Sequence, residues 1–191
     1  MEIETGDRPT GRGRIRQLPT AALTPAAITA IRALLWASFG GGEEAMTEAD
    51  WQHALGGTHF LAELDGEIVA HAAVVERVLE LDGRPIRTGY VEAVATAPAH
   101  QGRGTGSLLM TEVNAYIRGR FELGALGTGR HSFYGRLGWL TWRGPSWVRT
   151  TAGLARTPAE DGYILVLPTP ALPELDLTAS IACDWRPGDV W

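Results

Sequence analysis

Two Asp-Gly dipeptides, Asp65-Gly66 and Asp82-Gly83, each separate long runs of β-forming residues, and they constrain the fold more than any other feature of the chain. An Asp-Gly pair accepts positive φ at both central positions of a type I′ turn, whose twist matches that of a β-hairpin. The runs HFLAEL, EIVAHAAVVERVLEL and PIRTGYVEAVAT therefore read as three strands of an antiparallel meander. Ahead of them, RGRIRQL reads as a short first strand. TPAAITAIRALLWASF reads as a helix, with Thr24 as a cap, Pro25 at the first helical position and apolar residues at helical spacing. TEADWQHAL is a shorter helix capped at Thr47 and ended by Gly56-Gly57.

After the meander the pattern changes. The segment from about Gly104 to Ile117 reads as a helix, FELGALG as a strand, HSFYGRLG as a short helix and GYILVLP as a strand. Elsewhere beyond Trp139, prolines and tryptophans leave the element types open. The expected fold class is α/β (α+β), a mixed but mostly antiparallel central sheet flanked by helices. With 191 residues and neither internal repeat nor low-complexity linker, the chain is expected to form one domain, 1–191.

Composition narrows the function classes. A 45% apolar and 20% charged chain is ordinary for a soluble domain, and a net charge of −5 argues against general nucleic-acid binding. No apolar run is long enough to span a bilayer, and the polar start MEIETGDRPTGRGRIRQL has no signal-peptide core, so the expected setting is cytoplasmic, without a membrane partner. Cys183 is the single cysteine, and the five histidines lack ligand spacing, so no metal site is expected. His71 is read as packed or bonded to a backbone partner, and Trp36 and Trp51 as buried on helix faces. Trp185 and Trp191, near the acidic tail, are open to stacking on a ligand.

The stretch HQGRGTGSLL, His100 to Leu109, places three glycines and Arg103 between a strand ending near Thr96 and a helix. Free N–H groups and the positive end of a helix dipole meet at such a junction, which makes it an anion site suited to a pyrophosphate. The glycines follow a meander rather than opening a parallel βαβ unit, and no G-x-x-x-x-G-K-[ST] occurs. Neither a dinucleotide nor a nucleoside-triphosphate reading fits.

Gln101-Gly-Arg-Gly104-Thr-Gly106 resembles the Q/R-x-x-G-x-G/A signature of the GNAT superfamily of acetyl-CoA-dependent N-acetyltransferases. The resemblance implies a GNAT fold whose sheet splays at the acetyl-CoA site. It implies cosubstrate contacts from Val94, Thr96, Gln101, Gly102, Arg103, Gly104, Thr105 and Gly106, with the Val91–Thr96 strand lending backbone groups to the pantetheine arm. A resemblance over nearly the whole chain, carried by GYVEAVAT, LGALG, RTPAEDGYILVLP and CDWRPGDVW, is to the aminoglycoside 2′-N-acetyltransferases. In that family the terminal carboxylate helps form the drug site, and the segment from about 171 to 191 is expected to complete it.

Acetyl transfer to an ammonium requires a proton acceptor and a donor for the departing thiolate. The resemblance makes Glu92 the general base, directly or through water, and Tyr134 the general acid, while the carbonyl oxyanion would meet a backbone amide near Val94. Strict alternation puts Tyr90, Glu92 and Val94 on one face and Val91, Ala93 and Ala95 on the other. The neighbouring Phe133 is an equal candidate for the packed ring, which would leave Tyr134 free. A polyamine sugar needs carboxylates around it, and the family positions are Glu44, Asp50, Glu92, Gly127, Glu160, Asp189 and Trp191. Glu43 and Glu44 lie in a longer loop than is usual in the family, and Gly127 stands where a serine can touch the drug. Direct transfer within a homodimer is the family expectation. The alternatives are a GNAT enzyme for another amine, such as an amino sugar or metabolite, and a noncatalytic acyl-CoA-binding module.

Overall fold

Both Asp-Gly pairs adopt the expected turns, with φ of 52° and 89° at Asp65 and Gly66 and of 47° and 80° at Asp82 and Gly83. The computed structural model describes residues 13–39 and 45–191, so Glu43 and Glu44 lie outside the described residues. The elements, in chain order, are β1 (Arg14–Pro19), α1 (Pro25–Phe39), α2 (Glu48–Ala54), β2 (Thr58–Leu64), β3 (Glu67–Leu81) and β4 (Arg84–Thr96). They continue with α3 (Thr105–Arg120), β5 (Leu123–Gly127), α4 (His131–Gly135), β6 (Leu140–Thr141), β7 (Ser146–Thr150), β8 (Gly153–Arg156), β9 (Ile164–Pro168) and β10 (Ile181–Asp184). The mixed sheet runs β6-β9-β5-β4-β3-β10-β7-β8, with β2 on β3 and β1 on β2. This is the mostly antiparallel sheet expected from the sequence.

Helices cover both faces. On one, α3 buries Leu109, Met110, Val113 and Ile117 completely, each burial contributing roughly 1.5–3 kcal/mol. On the other, α1 and α2 bury Ile31, Leu34, Leu35 and Trp51 against Leu61, Ala73 and Ala95. Thr24 caps α1 through the Ala27 amide, and Thr47 forms a reciprocal capping box with Asp50 on α2. Trp36 departs from expectation: it is 37% exposed, with the Arg32 guanidinium 4.7 Å above its ring.

Strand β4 is irregular in two ways that position the site. Its parallel pairing with β5 runs only from Thr88↔Leu123 to Tyr90↔Ala125, after which β4 continues to Thr96 without a partner on that edge. On its other edge, Ala73 faces Glu92 and His71 faces Ala95, so Ala72 stands opposite both Ala93 and Val94. This is a β-bulge, with Ala93 at φ 52°. It corrects the expected alternation, because Val94 packs with Val91 on the α3 face, while Ala93 joins Ala95 on the α1–α2 face.

The C-terminal part adds strands that periodicity did not reveal. β10 runs parallel to β7 and antiparallel to the end of β3, and so carries the last residues back to the middle of the sheet.

Candidate active site

The glycine cluster forms the strand-to-helix junction expected of it. Gly104, at φ 84°, is the N-cap of α3, and Gly102 has φ 72°, a region that glycine enters without a Cβ penalty. Gly106 is bare for another reason: a Cβ there would lie 3.0 Å from Thr96 Oγ1. Gln101 Nε2 donates to Thr96 O at 3.0 Å and ties the loop to the end of β4.

Beside this junction lies a cleft of about 430 Å³ where β4 has left β5. Val94, Thr96, Gln101, Gly102, Gly104 and Gly106, six of the eight residues named from the sequence as cosubstrate contacts, line it. Arg103 and Thr105 belong to the same turn and helix start but not to the lining; the cleft's cations are Arg130 and Arg136, with Ser107 adding a hydroxyl. Sequence reading missed the two arginines because they flank α4, far along the chain from the glycines, whereas Ser107 directly follows Gly106 in α3.

Tyr134 also lines the cleft, on α4. Trp139 Nε1 donates to Asn114 Oδ1 at 3.0 Å, and Asn114 Nδ2 donates to Leu137 O at 2.9 Å, locking the end of α4 onto α3. The Tyr134 ring packs edge-on against Phe133 and Trp139. Tyr134 is itself the buried ring, at 6% exposure, and Phe133 is partly buried beside it. Burial pushes the phenol pKa up, against a smaller lowering by Arg130, so the hydroxyl keeps its proton at neutral pH.

Glu92 lies one residue before the bulge, in a largely buried setting made by β3 and the C-terminal segment. Arg186 Nη1 donates to Glu92 Oε1 at 2.6 Å. Burial raises the Glu92 pKa, opposed by Arg186 and Arg77 and assisted by Asp189. Next to it, Tyr90 lies under two guanidinium groups, Arg77 at 4.6 Å and Arg186 at 5.6 Å from the ring centroid. Among the described residues, the Tyr90 hydroxyl and Arg77 Nη1 are buried without a hydrogen-bond partner, so polar capacity is unmet beside Glu92.

The C-terminal segment is fastened over this region. Arg77 Nη2 donates to Val190 O at 2.9 Å, and His53 Nε2 donates to Pro187 O at 2.7 Å. The Trp191 amide donates to Asp189 Oδ1 at 3.3 Å, and its indole Nε1 donates to Thr157 Oγ1 at 3.1 Å. Trp191 is therefore packed at 4% exposure rather than free to stack on a sugar, while Trp185 is 59% exposed. A Cβ at Gly127 would lie 3.4 Å from the Trp191 carbonyl carbon, so this end of β5 borders the main chain of Trp191.

The carboxylates divide accordingly. Glu160, its pKa raised by burial and by Asp189, shares this region with Asp189 and Glu92. Asp161 instead binds Arg156 and Ser146, a structural clamp under Trp191. Asp50 closes the α2 capping box through Oδ2, at 2.9 Å from the Thr47 amide, on the helix that meets the C-terminal segment through His53. Tyr90 and Arg186 lie inside the stretches GYVEAVAT and CDWRPGDVW but were given no role from the sequence, and Arg77 lies in no motif; the β3–β4 pairing sets Arg77 beside Tyr90, and the return of β10 to β3 brings Arg186 to both.

Comparison with known proteins agrees with this geometry. A family model described as "Acetyltransferase (GNAT) domain" matches residues 20–141. The chain is 47% identical over 150 residues to an aminoglycoside 2′-N-acetyltransferase of Mycolicibacterium fortuitum, a match covering 76% of each chain. Among solved structures it is similar to a GNAT family N-acetyltransferase of Escherichia coli in complex with CoA, with a TM-score of 0.65 and 18% identity over 94% of this chain and 93% of that one. It is also similar to a GCN5-related N-acetyltransferase of Kribbella flavida, with a TM-score of 0.56 and 24% identity over 70% of this chain. There it spans 34% of the other protein's length. At such identities the two solved structures speak for the fold.

Proposed function

The chain belongs to the GNAT acetyltransferases and is related to the aminoglycoside 2′-N-acetyltransferases, and we propose that it moves the acetyl group of acetyl-CoA directly to the 2′-amino group of an aminoglycoside, inactivating the drug. The observation that carries the reading is the bulge in β4. It leaves Glu92 among the C-terminal carboxylates and turns Val94 into the cleft two residues later. A base and a donor site on the two sides of one strand suit transfer between two substrates entering from different sides.

In this reading the pyrophosphate of acetyl-CoA takes the free amides at the start of α3, with Arg130 and Arg136 nearby. The acetyl carbonyl faces the Val94 amide, which stabilises the oxyanion of the tetrahedral intermediate. The drug's ammonium groups meet Asp50, Glu92, Glu160, Asp189 and the Trp191 main-chain oxygen. Glu92, made more basic by burial, takes the 2′-ammonium proton directly or through water. The freed nitrogen attacks the thioester carbon, the C–N bond forms, and the C–S bond breaks with its electrons on sulfur. Tyr134, still protonated, gives its proton to the thiolate, and the second proton shed by the new amide nitrogen restores the phenol. The reading places the enzyme in the cytoplasm as a homodimer. Light scattering tests the dimer.

The test of the base is Glu92→Gln. Turnover should fall by roughly 10²-fold or more, while calorimetry should find acetyl-CoA binding intact. Undiminished turnover would remove the base role.

A further inference from the structure

His59 and His71, both fully buried, lie outside the acid–base chemistry described above, yet they form a continuous chain of hydrogen bonds that ends on the bulge. The Gly56 amide donates to Thr20 Oγ1 at 2.9 Å, and Thr20 Oγ1 lies 2.8 Å from His59 Nε2. His59 Nδ1 lies 2.9 Å from His71 Nε2, and His71 Nδ1 lies 2.7 Å from Ala93 O.

The direction of every bond follows from its last member. Ala93 O only accepts, so His71 Nδ1 carries the proton, and in a neutral ring His71 Nε2 is then an acceptor. His59 Nδ1 must therefore donate to it, leaving His59 Nε2 to accept, at 2.8 Å, from the Thr20 hydroxyl, whose single proton also has Gly57 O within reach at 3.2 Å. Burial depresses both rings, His59 to about 4 and His71 to about 3, which keeps them neutral at pH 7. Four donors thus point the same way, from the Gly56 amide to the Ala93 carbonyl.

The bulge needs such a hold. Ala93 is held at φ 52°, a conformation that costs a residue with a Cβ roughly 1–2 kcal/mol. The Ala93 carbonyl and the Val94 amide belong to one planar trans peptide, so they point in opposite directions. Fixing Ala93 O on His71 fixes the Val94 N–H away from His71, on the side where Val94 packs with Phe133 and Tyr134 around the cleft.

We propose that His71, braced by His59 and Thr20, is a positioning residue that aims the Val94 amide at the acetyl carbonyl of the bound thioester. This rests on the acetyl-transfer reading above but not on the identity of the acceptor. Were the Ala93–Val94 peptide free to rotate, its carbonyl could turn into the cleft and repel the developing oxyanion.

The test compares two amides at position 71. His71→Asn places an N–H near the Nδ1 position and keeps a donor to Ala93 O, whereas His71→Gln places it near the Nε2 position and does not. With [1-¹³C]acetyl-CoA bound, wild type and His71→Asn should show a carbonyl stretch below that of the free thioester, and in His71→Gln it should return toward the free value. For the aminoglycoside reaction, His71→Gln should lose at least about tenfold in kcat, toward the ~10² or more that an absent oxyanion donor costs, with the KM for acetyl-CoA little changed. Equal carbonyl stretches in all three proteins would overturn the proposal, as would equal losses of kcat in both variants, which would mark His71 as structural only. A wild-type protein that displaces the carbonyl stretch but acetylates no aminoglycoside would overturn the acceptor assignment while supporting the positioning role. Failure of wild type to bind acetyl-CoA would overturn both.

Discussion

Arg186 reaches back from the C-terminal segment to Glu92, with Nη1 2.6 Å from Oε1 and the two side chains only 16% and 12% exposed. The pair places a cation where the proposed mechanism needs the acceptor's ammonium. Arg186 thus opposes the rise in pKa that burial imposes on Glu92, and an incoming ammonium competes with it for the same carboxylate.

Two substitutions around this pair should move the acid limb of the kcat/KM profile in opposite directions. A base must be deprotonated to act, so activity falls as pH falls through the Glu92 pKa. Arg186 lowers that pKa and Asp189 raises it. Arg186→Gln should therefore shift the limb to higher pH, and Asp189→Asn should shift it to lower pH. A limb that moves the same way in both variants would show that another group sets it.

Tyr134→Phe keeps the ring that packs against Phe133 and Trp139 and removes only the hydroxyl. Steady-state kinetics should show kcat lowered by about 10²-fold, the usual contribution of a positioned acid, with little change in the KM for acetyl-CoA. An unchanged kcat would mean that the thiolate leaves without help from this phenol.

The neutral histidine pair gives the fold an acid weakness. His59 and His71 titrate near 4 and 3 in the folded chain, while unfolded histidine titrates near 6.5. The unfolded state therefore binds protons that the folded state refuses. The contribution is full above about pH 6.5 and declines as pH falls toward 4, by up to roughly 1.4 kcal/mol per pH unit for each ring. Thermal melts between pH 7 and pH 5 should fall more steeply for wild type than for His71→Asn, a comparison in which the shared carboxylates cancel. Parallel slopes would contradict the account.

The sequence made the meander legible because each Asp-Gly turn has one favoured geometry, and it made the α3 junction legible because glycines at a helix start have a physical meaning. Glu92 and Tyr134 were legible through family motifs, since neither periodicity nor chemistry alone distinguishes them from a surface carboxylate and a packed ring. The bulge at Ala93 was not legible: nothing in VEAVAT marks the residue that breaks alternation, and it is held from outside by His71. Nor was the place of Arg186, which meets Glu92 only because β10 brings the C-terminal segment onto the end of β3. Short strands such as β6, with two residues, and β8, with four, carry too little pattern for periodicity to register.

The most direct measurement is free-thiol release from acetyl-CoA by the purified protein, comparing 2′-amino aminoglycosides such as gentamicin or tobramycin with the 2′-hydroxy compound kanamycin A. The account predicts rapid release with the 2′-amino compounds alone, which would fix donor, acceptor and position of transfer together. Equal release with kanamycin A would contradict the 2′ assignment, and no release with any of them, while acetyl-CoA still binds, would contradict the aminoglycoside as acceptor.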